Sequence, residues 1–287
     1  MRNIKQIAIV VLHYGEIDIT RACLDSLKAL KQTSFKTDIL VVDNSGNFNI
    51  DIKRHGNIKK TIPSKTNTGY AAGNNSALRY IYKENYDYCL FINNDTIVRP
   101  NFLKRLLEIT RTHRNFIVGP VIEHQVKGKT FYDYGGMVDW FKCQPKHINK
   151  ISLSKENQLI ERDFVSGCCM LMPVSVIKKL QGFDESFFMY LEDVDLCLRA
   201  KKIGIKTYLV PQSIIFHLGS KSASNSLKIW QSWKNSFKLI FRYCPKKFML
   251  SAMLFNSWFY PALFVQWQLK GIKKTIYGII SRDTYLQ

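Results

Sequence analysis

An α/β fold, with a Rossmann-like, mostly parallel central sheet flanked by helices, follows from three features of the sequence. Short continuous apolar runs recur at residues 7–12, 39–42 and 89–92, the pattern of strands covered on both faces. Helical periodicity fills the intervals, so strand and helix alternate as in βαβ units. Each run ends in a polar cluster: His13-Tyr14, then Asp43-Asn44-Ser45, then Asn93-Asn94-Asp95. In open α/β sheets, ligands bind beyond the carboxyl ends of the strands, so three such clusters in phase predict one crevice. Asp and Asn also start turns and cap helices, which is the plainer reading of any single cluster.

Between the first two strands, Ile19, Cys23, Leu27 and Leu30 share one helical face, with Arg21, Asp25 and Lys28 elsewhere. A weaker strand fits residues 59–62. A helix follows over 72–82, with Ala77, Leu78 and Ile81 directed inward. The second half is less regular. Residues 132–140 contain Gly135-Gly136 and read as loop or short strands, and Pro173 opens a helix over 174–180 that ends at Gly182. Residues 193–203 form a strong helical pattern, with Lys201-Lys202 in the last turn and Gly204 as terminator.

A chain of 287 residues can bury one large core, or one core and a small appendage. Its 42 Lys+Arg against 22 Asp+Glu give a net charge of +20, which favours anionic partners without choosing among them. From residue 221 onward there are eleven basic residues and one acid, with four of the five tryptophans. This composition shift predicts one domain over 1–220, whose halves are the regular strand–helix alternation of about 1–100 and the less regular stretch of about 101–220. A helical, basic and aromatic extension then covers 221–287. Seven cysteines without a CxxC pair or a regular framework favour a reducing compartment. The apolar run 7–12 is too short for a signal peptide. The stretch 252–269 is interrupted at Asn256, Pro261, Gln266 and Gln268, which predicts that nothing spans a bilayer.

The clusters carry chemistry. A nucleoside diphosphate bears clustered negative charge, and removing its sugar leaves more on the departing phosphate. Mn²⁺ or Mg²⁺ held by a carboxylate offsets that charge while keeping positions open for phosphate oxygens. Asp95 suits the metal; Asn93 and Asn94 suit ribose or phosphate, with Tyr14 beside them. Asp43 either accepts from a pyrimidine N–H and ribose hydroxyls or caps a turn. Residues 67–75 form a glycine-rich entry to a helix in which Asn67, Gly73 and Asn74 could face the donor. The segment lacks both the Lys-Ser/Thr of a P-loop and the GxGxxG spacing. Glu192, Asp193 and Asp195 crowd the start of one helix. The helix dipole favours acids there, but three exceed a cap, and their repulsion would raise a pKa toward that of a useful base. Asp193 is the expected base, Glu192 its neighbour, and Asp195 a residue that orients the loop. His217 follows an apolar stretch and precedes a Gly-Ser turn; it is either a satisfied histidine or a second metal ligand beside Asp95.

Taken in order, VVDNS (41–45), NTGYAAGNN (67–75), INND (92–95), GFDESFFMYLEDVDLCLRAKKIG (182–204) and HLGS (217–220) closely resemble the glycosyltransferase family 2 enzymes. The likeness is greatest to the rhamnosyltransferase-like branch that builds bacterial surface polysaccharides such as O-antigen and capsule. It covers about residues 5–220, and its most specific piece is the FDE-FFMY-EDVDLC stretch. The resemblance implies a GT-A fold, an inverting mechanism, a nucleotide-diphosphate sugar donor (dTDP-rhamnose or a UDP-sugar) and a divalent metal. By motif position it implies that Asp43 contacts the nucleobase, Asp95 the metal, Asp193 the acceptor hydroxyl, and His217 the metal or diphosphate. Gly167, Tyr190 and Trp140 are expected on the acceptor side. Two departures stand out: Asn93 replaces the first carboxylate of the usual DxD, and His13 stands where Asn is common.

Residues 227–244 read as an amphipathic helix with Trp230, Trp233, Phe237 and Phe241 in a stripe flanked by Lys228, Lys234, Lys238 and Arg242. Aromatics beside lysines suit an anionic membrane surface. A lipid-linked saccharide acceptor, usual in this family, would place the enzyme on the inner face of the cell membrane as a peripheral cytoplasmic protein. Two other classes fit less well. A sugar-phosphate nucleotidyltransferase would carry a glycine-rich basic loop after the first strand. A basic nucleic-acid-binding protein would not line strand ends with carboxylates, and no nucleic-acid partner is expected.

Overall fold

The structure, a computed structural model, describes residues 4–31, 35–49, 58–152, 158–219 and 224–283. It divides into two compact units, Met1–Val138 with Pro145–Ser222, and Asp139–Gln144 with Ala223–Gln287. Ser220 of the HLGS motif and the side chains of Lys270, Lys273 and Lys274 lie outside the described residues.

In the first unit, β1 (Lys5–His13) pairs in parallel with β2 (Phe35–Asp43) on one side and β4 (Tyr88–Asn93) on the other. Beyond β2, β3 (Ile58–Pro63) adds in parallel. The registers set His13 beside Asp43, Leu12 beside Asn93, and Asp43 beside Pro63. The three polar clusters therefore leave the sheet at one edge, as their phase in the sequence predicts. The other half is mixed. β11 (Cys169–Pro173) runs antiparallel between β4 and β6 (Phe116–Val126), and β12 (Lys206–His217) is parallel to β6. β10 (Ile160–Arg162) completes the order β10-β12-β6-β11-β4-β1-β2-β3, with β5 (Thr96–Val98) on β12 and β7 (Lys129–Asp133) on β6.

Helices cover both faces. Ile7, Ile9 and Val11 join a core with Cys23, Leu24 and Leu27 of α1 (Ile17–Lys28) and with Phe102, Leu103 and Leu106 of α3 (Phe102–Leu107). On the other face, α2 (Gly69–Ile81) buries Ala77, Leu78 and Ile81, the expected inward set. It approaches so closely that a Cβ at Gly73 would lie 2.7 Å from a Leu12 methyl. The helix begins at Gly69 rather than near 72, so the glycine-rich segment forms its first turns. α4 (Val174–Lys179) and α5 (Glu192–Lys202) fall within two residues of their expected bounds. The segment 132–140 resolves into the end of β7 and a hairpin of β8 (Gly136–Asp139) with β9 (Gln144–His147).

The second unit holds α6 (Asn225–Tyr243) and α7 (Lys246–Asp283). The buried face of α6 carries Asn235, Ser236, Leu239 and Ile240, so the aromatic stripe is left partly open, with Trp230 and Phe241 exposed. One expectation is corrected. The polar and proline positions read as interruptions do not end α7, and Lys246–Leu269 is long and apolar enough to cross a membrane by length and composition. Asn256 is fully buried. Its Nδ2 donates to the Lys142 carbonyl and its Oδ1 accepts from Gln144, so it pins the 139–144 segment onto this helix. Leu250, Leu254, Trp258, Val265 and Leu269 remain exposed along one helical stripe.

Candidate active site

The donor side is built from backbone turns fixed by buried amides. Asn44 at the end of β2 is almost fully buried. Its Nδ2 donates to Asn67 Oδ1 and to the Gly69 carbonyl, while its Oδ1 accepts from the Thr68 amide and hydroxyl. Asn67 also accepts from the Gly69 amide, so one Asn–Asn pair sets the entry to α2. Gly69 takes φ +81°, and any Cβ there would overlap the Phe188 carbonyl oxygen. The adjacent Tyr70 amide donates to that same carbonyl at 2.7 Å. This close approach seats the FFMY segment against α2.

Tyr14, Asn67, Asn93, Asn94 and Asp95 line one cleft together with Phe188. Asn94 donates to the Tyr14 carbonyl and to Thr20 Oγ1. Gly73 and Asn74 lie behind this cleft. Gly73 packs on Leu12, and Asn74 is buried, donating to the Tyr70 carbonyl with its Oδ1 unpartnered. Asp43 takes the turn role in full. Its two oxygens accept from the amides of Ser45, Gly46 and Phe48. A carboxylate offers about four lone-pair sites, which leaves room for one more donor. His13 is fully buried, with Nδ1 on Thr20 at 2.6 Å and Nε2 on Asn47 at 2.7 Å. It braces the loop after β2 from within.

Asp95 and His217 meet, with Nε2 3.2 Å from Oδ1. Two donors in neighbouring octahedral positions, at about 2.1 Å from a metal, lie about 3.0 Å apart, so this pair fits one edge of a Mn²⁺ or Mg²⁺ shell. Among the described residues no group of three or more His, Cys, Asp or Glu side chains is placed to hold a metal. Diphosphate oxygens would have to complete the coordination.

Asp193 lies at the first turn of α5, partly exposed, with Oδ2 accepting from the Gly167 amide at 2.7 Å and Oδ1 from the Val194 amide. Tyr70 donates its hydroxyl to the Gly167 carbonyl, tying the donor-side helix to the same residue. Burial raises the Asp193 pKa, against the pull of the Gly167 and Val194 amides and the charge of His147. Burial, and then the Asp193 charge, hold Glu192 well above the usual carboxylate range. Glu192 Oε2 is buried without a partner. Asp195 is fully buried and binds Arg199, whose guanidinium also donates to the carbonyls of Leu180 and Gly182. Through Arg199 it ties α5 to the turn that follows α4. Tyr190 and Leu191 adopt φ of 67° and 70°, two consecutive left-handed residues that each cost about 1–2 kcal/mol. Strain thus sits directly before the Glu192-Asp193 pair.

The state of Glu192 gives a prediction. Its folded pKa exceeds its unfolded value, so the folded state holds the proton more tightly. That stability is full at acid pH and is lost as pH rises from the ordinary Glu range toward the folded pKa. Glu192→Gln is expected to gain thermal stability over wild type progressively between pH 5 and 8.5, by several degrees at the upper end. A pH-independent difference in melting temperature would contradict this assignment.

Trp140 belongs to the second unit, where its carbonyl accepts from Cys244 Sγ. The sequence reading also missed Asn44, Tyr70 and Phe188 as organisers of the site. All three lie inside the motifs at 41–45, 67–75 and 182–204, and their hydrogen bonding is the missing signal.

The profile described as "Glycosyltransferase like family 2" matches residues 5–242. The chain is 27% identical to the rhamnosyltransferase WbbL of Escherichia coli (strain K12) over 261 residues, 86% of this chain and 96% of that one. It is 24% identical to the dTDP-rhamnosyl transferase RfbF of Shigella flexneri over 221 residues, 75% of this chain and 70% of that one. The crystal structure of GalNAc-T7 with UDP, GalNAc and Mn²⁺ superimposes with a TM-score of 0.65 at 13% identity, over 84% of this chain and 48% of that one. This chain therefore spans about half of the GalNAc-T7 chain, and the likeness is one of fold. With a GT-A sheet beneath the motifs and a family match over most of its length, the chain belongs to glycosyltransferase family 2.

Proposed function

We propose that the chain is an inverting transferase that moves a sugar from a nucleotide diphosphate, dTDP-rhamnose foremost and UDP-sugars as the alternative, to a lipid-linked saccharide. The observation that carries this reading is the pairing of Asp95 with His217, with Asp193 on the amide of Gly167, the residue before Cys168, whose carbonyl accepts from the Asn93 amide two residues before Asp95. Asp193 takes the proton of the acceptor hydroxyl as that oxygen bonds to the anomeric carbon. The bond from that carbon to the diphosphate oxygen breaks, and the electron pair leaves with the nucleotide. Asp95 and His217 would hold Mn²⁺ or Mg²⁺, which offsets the charge on the departing diphosphate. Asn93, Asn94 and Tyr14 orient ribose and phosphate.

The lipid linkage and a peripheral seat on the inner membrane face are supported by the second unit. The exposed stripe from Leu250 to Leu269 is preceded by Lys246-Lys247, a composition suited to the headgroup boundary.

Asp95→Ala tests the donor half. It is expected to lower Mn²⁺-dependent binding of dTDP-rhamnose or a UDP-sugar by about 10-fold or more, as for loss of a charge-assisted contact of about 1.5–3 kcal/mol. Calorimetric titration with and without Mn²⁺ reads this directly. Equal affinity in variant and wild type would remove Asp95 from the metal site. Failure of wild type to bind any nucleotide sugar would end the transferase reading.

A further inference from the structure

A second cavity, of about 360 Å³, is lined by His217, whose partner Asp95 lines the cleft of Tyr14 and Asn94. Its walls include His217, His124, Gln125, Ser166 and Asp133. Ser166 immediately precedes Gly167, whose amide holds the Asp193 carboxylate. The cavity is thus bounded by the proposed metal ligand on one side and the residue next to the anchor of the base on the other. Its volume falls in the range of small-molecule sites, about 300–1,000 Å³.

Asp133 is the unusual wall residue. Its Oδ2 accepts from His147 Nδ1 at 2.8 Å, and its Oδ1 is buried without a partner. A buried carboxylate oxygen left unpaired costs about 1–3 kcal/mol or more, a cost that a donor brought into the cavity would relieve. The pair also reaches the base: burial alone would lower the His147 pKa, but the Asp133 hydrogen bond and the charges of Asp133 and Asp193 raise it. The acceptors Asp133, Ser166 and Gln125 therefore line a space beside both the metal pair and the base. Vicinal hydroxyls of a sugar ring are donors spaced to meet such groups. His124, another wall residue, stacks on Phe131 at 5.8 Å and 17°, an aromatic pair at the edge of the same space.

The geometry points to this cavity as the acceptor-saccharide subsite, with Asp133 as the residue that binds hydroxyl groups of the acceptor ring. This inference rests on the transferase reading above. It is tested by saturation-transfer NMR on the full chain loaded with dTDP or UDP and Mn²⁺, using methyl glycosides of rhamnose, glucose, galactose and N-acetylglucosamine as probes. At least one glycoside should bind to wild type. Asp133→Asn, which turns one acceptor into a donor at nearly constant shape, should weaken it about 10-fold or more. Ser166→Ala provides a milder second variant and should weaken it severalfold. Nucleotide affinity should stay at the wild-type value in both, which shows that the donor side of the fold is intact. Binding of no glycoside by the nucleotide complex, or equal binding in Asp133→Asn, overturns the subsite. Failure of wild type to bind either nucleotide strikes the transferase reading instead.

Discussion

Asp193→Asn is expected to lower the rate of sugar transfer by about 10²–10⁴-fold, the usual worth of a positioned general base, while leaving nucleotide-sugar affinity unchanged. Asparagine has the shape of aspartate, and its side-chain oxygen can keep the long-range bond from the Gly167 amide, while only the bond from the adjacent Val194 amide is lost, so the loop should hold. What it cannot do is take a proton. The pH profile separates this from a structural effect. Burial raises the Asp193 pKa, so wild-type kcat/KM should fall as pH drops through a value above the ordinary carboxylate range. The residual rate of the Asn variant should lack that limb. Because Glu192 adjoins Asp193 and its own pKa is raised by burial and by the Asp193 charge, the pair titrates together, and the profile reports both carboxyls. Full activity in Asp193→Asn would transfer the role of base to Glu192, whose buried Oε2 is unpartnered.

Much of the donor half was legible because its signals are local. β1, β2 and β4 are continuous apolar runs, and α1 and α2 repeat apolar residues at helical spacing. Their meaning depends on neighbours in sequence, which a single chain displays. The second half hides its order because its strands pair across long separations. β11 is a five-residue buried strand, Cys-Met-Leu-Met-Pro, with no alternation, set between strands from distant parts of the chain. β6 passes from a fully buried stretch to exposed Gln125 and Val126, so it carries no single period. The same contrast governs the site. Asp193 and Asp95 sit in motifs that a single sequence displays. Asp133 and His147 are joined only by the β8–β9 hairpin that folds one back on the other, and nothing at either position marks the pair. The turn role of Asp43 was one of two open readings, and only the three amides around it show how completely the backbone uses that carboxylate. Asn256 misled for the opposite reason. A polar residue in an apolar helix reads as an interruption until its two backbone and side-chain partners are seen.

Gly69→Ala is expected to be the most damaging small substitution outside the chemical groups, and a comparison with Gly46→Ala shows why. Both glycines have positive φ, +81° and +72°, but a Cβ at Gly46 would meet nothing within 4 Å, whereas one at Gly69 would overlap the Phe188 carbonyl. Gly46→Ala therefore carries only the conformational cost of a left-handed alanine, about 1–2 kcal/mol. At Gly69 that cost adds to overpacking against backbone, about 1–3 kcal/mol, and to loss of the Tyr70 amide bond to Phe188, about 0.5–1.5 kcal/mol. At about 2–4 °C per kcal/mol for a domain of this size, the melting temperature should fall by about 10 °C or more for Gly69→Ala and by roughly half that or less for Gly46→Ala. The functional consequence is specific. Phe188 lines the cleft of Tyr14, Asn94 and Asp95, the proposed donor site, and Tyr70, next to Gly69, is bonded to Gly167, whose amide holds Asp193, the proposed base. Moving the FFMY segment should therefore weaken donor binding and slow transfer together, unlike Asp193→Asn, which slows transfer alone. Equal losses of stability at the two glycines would show that the segment yields freely, and that the close approach does not hold donor cleft and base in one geometry.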